Sequence, residues 1–322
     1  MRDCCLVTGG NGFIGSHLVE YLLEKGYRVV NYSRHTYASN PNNEQAINVE
    51  GDITDIFRFT EMLERYNVAK IFSMAAETHV DRSFQYPTAF LHTNLIGTVA
   101  ILEAVRYMKQ MRGKSVRLLQ MSTDEVFGEV KVGFAKEGDA VAPLNPYSAS
   151  KTSAEHFVMA YHHSYGLDTV ICRSMNNFGE RQNLEKIVGK IVLNCLNDRE
   201  YTLYKGSSTS VRGWIYAKDT ASALHTVMEK GRSGEVYHIP AKIYLSVEEL
   251  NARITKLLGK EHLFKGWQGH RLKDDERYAL DYESAKIVRE LGWEPTTSFE
   301  DGILRMVSWI KQNRQNTVVN NG

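Results

Sequence analysis

The chain is poor in cysteine, almost balanced in charge, and free of internal repeats and low-complexity segments. Four cysteines occur in 322 residues. Cys4, Cys5, Cys172 and Cys195 show no spacing that suits a metal site. Cys4 and Cys5 are neighbours in an apolar stretch and Cys172 closes another, so they read as buried reduced thiols, in keeping with a reducing cytoplasm and no metal centre. A formal net charge of +1 gives no electrostatic reason to expect nucleic acid or an acidic membrane surface as a partner. No apolar run reaches spanning length, and the N-terminal residues enter a strand at once instead of forming a signal-peptide core. The composition, 43% hydrophobic and 24% charged, is that of an ordinary soluble enzyme. The length suffices for one large or two modest domains with a sizeable core.

Apolar runs and helical patterns alternate through the first half. CCLVTG, YRVVNYS, KIFSMA, VRLLQMS and DTVICRS read as strands. Helices are expected over about 12–25, 55–66, 88–111 and 146–165. This alternation predicts an α/β fold with a doubly wound parallel sheet and helices on both faces. After Ser174 the pattern loosens. It runs through a helix near 185–197, the strand YTLYK, a glycine/serine loop KGSSTSVRG and helices near 217–229, 246–258 and 283–291. The polar tail NRQNTVVNNG reads as frayed.

The first strand runs into TGGNGFIGSH, with glycines at 9, 12 and 15. Glycine there permits a tight turn, close approach of backbone to a pyrophosphate and close helix–strand packing, while the helix N-terminus offers free N–H donors. A glycine triplet alone marks a tight turn in any α/β protein. Between a clear strand and a clear helix it marks a dinucleotide site of Rossmann type, with Phe13 and Ile14 opening the helix. The expected organisation is a dinucleotide-binding domain over 1–174, rejoined by segments near 208–240, and a smaller substrate-binding α/β domain over 175–322. At the end of the second strand an acidic residue would bond a ribose 2′-hydroxyl and indicate NAD. This chain has Ser33 and Arg34 there, which suit a 2′-phosphate and favour NADP, with NAD as the alternative. A merely solvated Arg34 remains open. Asp52, followed by Ile53 in GDITD, is a candidate acceptor for the adenine amino group.

Tyr147 and Lys151 stand four apart in PYSASK and share a helical face. An ammonium beside a phenol favours phenolate, and bringing tyrosine down from about 10 towards neutrality makes it a general base. Thr123-Asp124-Glu125 closes the apolar strand VRLLQMST, where active-site residues of open α/β sheets gather. Two adjacent carboxyls can serve as acid and base if one is kept protonated, which requires raising an aspartate from roughly 3.9 to about 7. A helix N-terminal pair or a solvated turn is the bland alternative for Asp-Glu, and a surface pair for Tyr-x-x-x-Lys.

Taken together, TGGNGFIG, GDITD, AAETHVDRS, HTNLIGT, MSTDEVFGE, NPYSASK, NNFGE, VRGW, RYALD and ELGWEP resemble the extended short-chain dehydrogenases/reductases. Within that group the chain resembles the nucleotide-sugar 4,6-dehydratases, over nearly its whole length. STDEVFG discriminates, because related 4-epimerases carry a serine-rich version without adjacent Asp and Glu. The resemblance implies a tightly held, recycled dinucleotide and a nucleotide-sugar substrate. Tyr147 would take the C4 hydroxyl proton, Thr123 would bond O4, Glu125 would remove the C5 proton, and Asp124 would protonate the departing C6 hydroxyl. Ala75, Ala76 and Asn94 would border the cofactor, as would Tyr147 and Lys151. His79, Ser83, Asn177, Arg212 and Arg271 would face the nucleotide sugar, with surface salt bridges and a core hydrogen bond as the bland alternatives. The helices near 88–111 and 146–165 resemble those through which family members form homodimers.

Several positions depart from the dTDP-glucose pattern: Ser33-Arg34, the segment ERQNLEKIV after NNFG, Gly213 where aspartate is usual, and Asp274 where histidine commonly stands. Related UDP-N-acetylglucosamine 4,6-dehydratases use NADP, and some invert C5, but those inverting enzymes carry lysine where this chain has Glu125. The expected substrate is therefore UDP-N-acetylglucosamine, with UDP- or dTDP-glucose close behind. A 4-epimerase and a non-catalytic dinucleotide sensor are the competing readings.

Overall fold

The computed structural model describes residues 3–36, 39–205, 208–270 and 277–313. The first half alternates strands and helices: β1 (Cys4–Thr8), α1 (Phe13–Glu24), β2 (Arg28–Ser33), β3 (Ile47–Glu50), α2 (Ile56–Arg65) and β4 (Val68–Ser73). Then come α3 (Val80–Gln85), α4 (Pro87–Phe90), a π-helical turn (Leu91–Ile96), α5 (Gly97–Arg112), β5 (Arg117–Thr123), a 3₁₀ turn (Asp124–Phe127), α6 (Pro146–Tyr165) and β6 (Thr169–Ser174). The second half holds β7 (Asn176–Phe178), α7 (Ile187–Leu196), β8 (Tyr201–Lys205), β9 (Val211–Tyr216), α8 (Ala217–Lys230), β10 (Val236–Ile239), β11 (Tyr244–Ser246), α9 (Val247–Leu258), β12 (Phe264–His270), α10 (Lys286–Arg289) and α11 (Phe299–Gln312).

Seven strands form one parallel sheet in the order β10-β6-β5-β4-β1-β2-β3. The central strand β1 is apolar up to its last residue because both faces of the sheet are covered. Along β1, Cys5 and Val7 join Leu18, Leu22, Leu224 and Val227 of α1 and α8 on one face. Cys4 and Leu6 join Phe59, Leu63, Ile101 and Val105 of α2 and α5 on the other. The period of two in a strand sorts alternate side chains to opposite layers. This is the Rossmann-type architecture that the alternation predicted.

A second core surrounds the mixed sheet β11-β9-β7, with Phe178, Ile191, Trp214, Leu250, Phe299 and Ile303 at its centre. α11 has no counterpart in the sequence reading, although its signals are ordinary ones. Ser298 caps it through Asp301 N, and Phe299, Ile303, Met306, Val307 and Ile310 recur at helical spacing and are buried. The segment near 283–291 forms only the four-residue α10. Of the polar tail, residues 314–322 lie outside the described residues.

α4, the π turn and α5 make one continuous helical run, Pro87–Arg112. Among the described residues it is the one helix long and apolar enough, by length and composition, to cross a membrane, which corrects the expectation that no run reaches that length. Half of that apolar stretch is buried against the rest of the fold.

Candidate active site

The C-terminal ends of β1, β2, β4, β5 and β6 open on one side of the sheet, where an open parallel sheet gathers its ligands. After β1 the chain turns at Gly9, whose φ of +67° is a left-handed conformation, and a Cβ there would stand 2.8 Å from the Ala75 Cα. A Cβ on Gly15 would collide with the Gly9 carbonyl. Gly12 caps α1, its N–H donating to Gly9 O at 2.9 Å, and the partly exposed Phe13 and Ile14 form the first turn. The Thr8 hydroxyl receives the N–H groups of Met74 and Ala75 at 3.0 and 3.1 Å, fixing the Ala75-Ala76 segment beside this loop. Asn94 accepts from Glu77 N at 2.8 Å and donates to Glu77 O and to the Ser150 hydroxyl. It thereby ties that segment to α6. A cradle that added side chains would fill fits a dinucleotide pyrophosphate.

The adenosine end differs from expectation in its detail. The buried Ser33 hydroxyl donates to Asn31 Oδ1 at 2.7 Å and accepts from Asn11 N at 3.3 Å, so its single proton is committed. Arg34 is 45% exposed and lies between two carboxylates, Asp52 at 3.1 Å and Glu77 at 3.7 Å. Burial pushes Asp52 up, but its bonds from Thr54 N and Oγ1 and from Arg34 outweigh that and hold it below the usual range. Ile53 beside it is buried. Sequence reasoning missed the amide lattice behind these groups. Asn31 donates to Asn11 and Asn48, and Asn11 donates to Asn42, at 2.6–2.9 Å. The only signal was the density of asparagine between positions 31 and 48.

At the other end Thr123, Asp124, Glu125, Tyr147 and Lys151 come together. Asn145 caps α6 and forms a capping box with Ser148, and Pro146 occupies the first helical position. The Asn145 side-chain amide also donates to Glu125 Oε2 at 3.0 Å, so one residue sets both the helix start and the direction of that carboxylate. The Asn-Pro pair was the signal for this role. Thr123 donates to Asp124 Oδ1 at 3.1 Å and accepts from Glu125 N at 3.3 Å. Asp124 is buried, and its Oδ2 has no hydrogen-bond partner among the described residues. Burial, helped by the Glu125 anion and opposed by Arg212 and Thr123, pushes it up to about 7.

Tyr147 and Lys151 correct the expectation of a depressed phenol. Burial raises the phenol above its ordinary value and the anions of Glu125 and Asp124 add to that, while the bond with the Thr123 hydroxyl works the other way. Lys151 Nζ donates to Met121 O at 2.6 Å. Burial brings its ammonium down to about 8, against the pull of Glu155. Spacing placed the two side chains on one face, but desolvation governs both.

The residues expected on the sugar side separate. Arg212 on β9 stacks over Tyr278 at 4.4 Å, and its charge reaches Asp124. His79 precedes α3, half-buried, with Nδ1 unpartnered among the described residues; burial and Lys186 lower it. Two expectations are corrected. Ser83 is fully buried and donates to Val80 O at 2.7 Å, a bond within its own helix turn that leaves no surface towards a ligand. Asn177 spends its amide on Ser174 Oγ, Met175 O and Thr220 Oγ1, bracing β7 against α8. Arg271 and Asp274 lie outside the described residues. The departure at Gly213 has a packing reason: a Cβ there would collide with the Met175 thioether, which fills the place of a side chain.

Comparison with known proteins fits this geometry. Residues 6–306 match the profile of the family described as GDP-mannose 4,6 dehydratase. The chain belongs to that family. It is an extended short-chain dehydrogenase/reductase and a nucleotide-sugar 4,6-dehydratase, a hydro-lyase. It is 38% identical to the dTDP-glucose 4,6-dehydratase of Xanthomonas campestris pv. campestris (strain B100), over 96% of this chain and 93% of that one. The crystal structure of DesIV, a dTDP-glucose 4,6-dehydratase from Streptomyces venezuelae with NAD bound, superposes with a TM-score of 0.88 at 36% identity, covering 97% and 98% of the two chains. The UDP-glucose 4-epimerase of Thermotoga maritima also superposes, with a TM-score of 0.87 at 28% identity, covering 97% of this chain and 99% of that one. The dehydratase therefore shares its scaffold with enzymes of a different outcome.

Proposed function

We propose that the dehydratase converts dTDP-glucose to its 4-keto-6-deoxy product. The relatives named above support that substrate. UDP-N-acetylglucosamine, the first expectation from sequence, rests on the departures at Ser33, Gly213 and the segment after NNFG, and takes second place. The observation that carries the reaction is the carboxyl pair closing β5. One carboxyl is buried and held up to about 7, and the other is aimed by Asn145.

In this reading Tyr147, once its phenol is ionised against burial with the help of the Lys151 ammonium and the positive charge that a bound oxidised dinucleotide would bring, takes the proton of the C4 hydroxyl while Thr123 bonds O4. A dinucleotide held at the Gly9–Gly15 loop would supply hydride exchange with the sugar. With C4 a ketone, the C5 proton is acidic, and Glu125 removes it. Asp124 gives its proton to the C6 hydroxyl as the C6–O bond breaks, so one water leaves. The proton held on Glu125 exchanges with solvent, and Glu125 then returns a solvent-derived proton to C5. Arg212, whose planar fork suits phosphate oxygens, holds the diphosphate. A 4-epimerase leaves C5 untouched and has no use for Glu125.

For the dinucleotide, the lack of a carboxylate at the end of β2 favours NADP. The committed Ser33 proton and the two carboxylates around Arg34 oppose a 2′-phosphate, and Ser33 retains acceptor capacity for a 2′-hydroxyl. We give NAD first place. Leu91 and Ile96 from the long helical run, and Phe157, Met159 and Tyr165 from α6, are large apolar side chains more than two-fifths exposed. They support a second copy of this chain as the partner, in a homodimer. Four free cysteines and a nucleotide-sugar substrate support a cytoplasmic setting.

The test is incubation with dTDP-glucose, UDP-glucose and UDP-N-acetylglucosamine in heavy water. Loss of one water with deuterium at C5, fastest for dTDP-glucose, is expected. No water loss from any of the three would overturn the assignment of the carboxyl pair, and faster turnover of UDP-N-acetylglucosamine would overturn the substrate. Denaturing the purified protein and identifying the released dinucleotide decides between NAD and NADP.

A further inference from the structure

The most deeply buried ion pair outside the site lies one helical turn beyond Lys151. Arg173 on β6 and Glu155 on α6 are 5% and 1% exposed, and the guanidinium donates through Nε and NH2 to both carboxylate oxygens at 2.7–3.2 Å. Its remaining NH1 donates to Glu137 O at 3.3 Å. A pair this dry gains little stability over an apolar pair of the same size, because desolvating two ions offsets their attraction. Its location points to another use. Glu155 stands four residues after Lys151 on the same helix, and the Arg173 guanidinium lies 4.7 Å from the ring centre of Phe127. Phe127 ends the 3₁₀ turn that begins with Asp124 and Glu125. The pair therefore touches both halves of the chemical machinery without reaching the reacting atoms itself.

We propose that the Glu155–Arg173 pair is a positioning element of the dehydration, in which Glu155, one turn from Lys151, and Arg173, against Phe127, together lock α6 to the turn bearing Asp124 and Glu125. This rests on the lyase reading above. α6 carries Tyr147 and Glu155 beside Lys151 in sequence and packs against the 3₁₀ turn, which bears Asp124 and Glu125, and against β6, which bears Arg173. Met121 and Ser122 of β5, Phe90 of α4 and Asn94 of the π turn are uncharged. Glu103 of α5 is engaged with Arg106 and Tyr161, and the charges of Asp81 and Arg82 of α3 fall on His79. Of these, Glu155 is the group whose field holds the Lys151 proton against burial. Without that field the ammonium deprotonates at lower pH, and its donated bond to Met121 O weakens.

The test follows the Lys151 side chain by carbon NMR in protein labelled at lysine Cε, with Lys151→Arg to assign the signal. Titration is compared in the wild type, Glu155→Gln, Glu155→Asp and the double variant Glu155→Gln/Arg173→Gln. The wild-type midpoint is expected near 8. Glu155→Gln should lower it, with water elimination at pH 8 falling about tenfold for each pH unit of displacement. The loss should shrink at pH 6.5, roughly the lower edge of the titration. Glu155→Asp should restore most of the midpoint. The double variant should recover melting temperature lost by the single one, because no unpaired buried charge remains, yet keep a midpoint below the wild type. A midpoint unmoved in both Gln variants, or a loss of melting temperature with an unchanged pH profile, would reduce the pair to a structural brace and overturn the proposal. If no nucleotide sugar loses water, the lyase reading fails, and the NMR midpoint still reports on Glu155.

Discussion

At the end of β5, Asp124, Tyr147 and Lys151 are buried, and each is displaced from its ordinary ionisation chiefly by desolvation. At the end of β2, Arg34 stands half in solvent between Asp52 and Glu77, and its neighbours Asn11, Asn31, Asn42 and Asn48 are neutral amides bonded to one another. The first region keeps few hydrogen bonds and strong fields; the second keeps many hydrogen bonds and screened charges. Chemistry that moves protons needs groups whose charge state is poised, and low dielectric supplies that. Recognition of a ribose needs fixed donors and acceptors, which a lattice of amides provides with little dependence on pH.

This contrast can be broken in order of effect. Replacing Tyr147 by Phe removes the proton acceptor from the dry end. Turnover should fall by about 10³ with dinucleotide affinity little changed, measured by product formation and by titration calorimetry; a loss under tenfold would show that the phenol is not the base. Replacing Asp124 by Asn should lower turnover by about 10² and raise stability in a pH-dependent way. A carboxyl held up to about 7 when folded, against an ordinary 3.8, costs nothing below its unfolded value, costs more as pH rises between the two, and costs most above 7. The variant should therefore gain stability at pH 8, by on the order of 4 kcal/mol at most, and the gain should vanish near pH 4, roughly the unfolded value. Melting curves at the two pH values check this, and an equal gain at both would show that burial is not what raises Asp124. Arg34→Ala, at the wet end, should change stability by less than about 0.5 kcal/mol. It should leave the maximal rate intact and weaken NADP binding more than NAD binding. A large loss of rate would mean that the adenosine end is coupled to the chemistry after all.

Much of the scaffold was legible in the chain. The five strands read from CCLVTG to DTVICRS are present, and α6 spans 146–165 as expected. The adjacency of Asp124 and Glu125 at a strand end was likewise readable, since local sequence decides it. What escaped were pairings of distant residues. Glu155 and Arg173 meet only because β6 lies beside the helix that precedes it, and Asn177 and Ser83 looked like ligand contacts because nothing local shows what their polar atoms bond. α11 was missed despite a serine cap and an apolar stripe, both of which the second core needed.

By itself the sequence determined the order of strands and helices, the glycine cradle and the presence of an acid, a base, a phenol and an ammonium, because each depends on neighbours a few residues apart. Only the tertiary structure decided that Asp124 is buried beside the Glu125 carboxylate, that Lys151 bonds the Met121 carbonyl, and that Arg34 is shared by two carboxylates. Ionisation follows from desolvation and from the summed field of groups brought together by folding, and neither exists until the chain has packed.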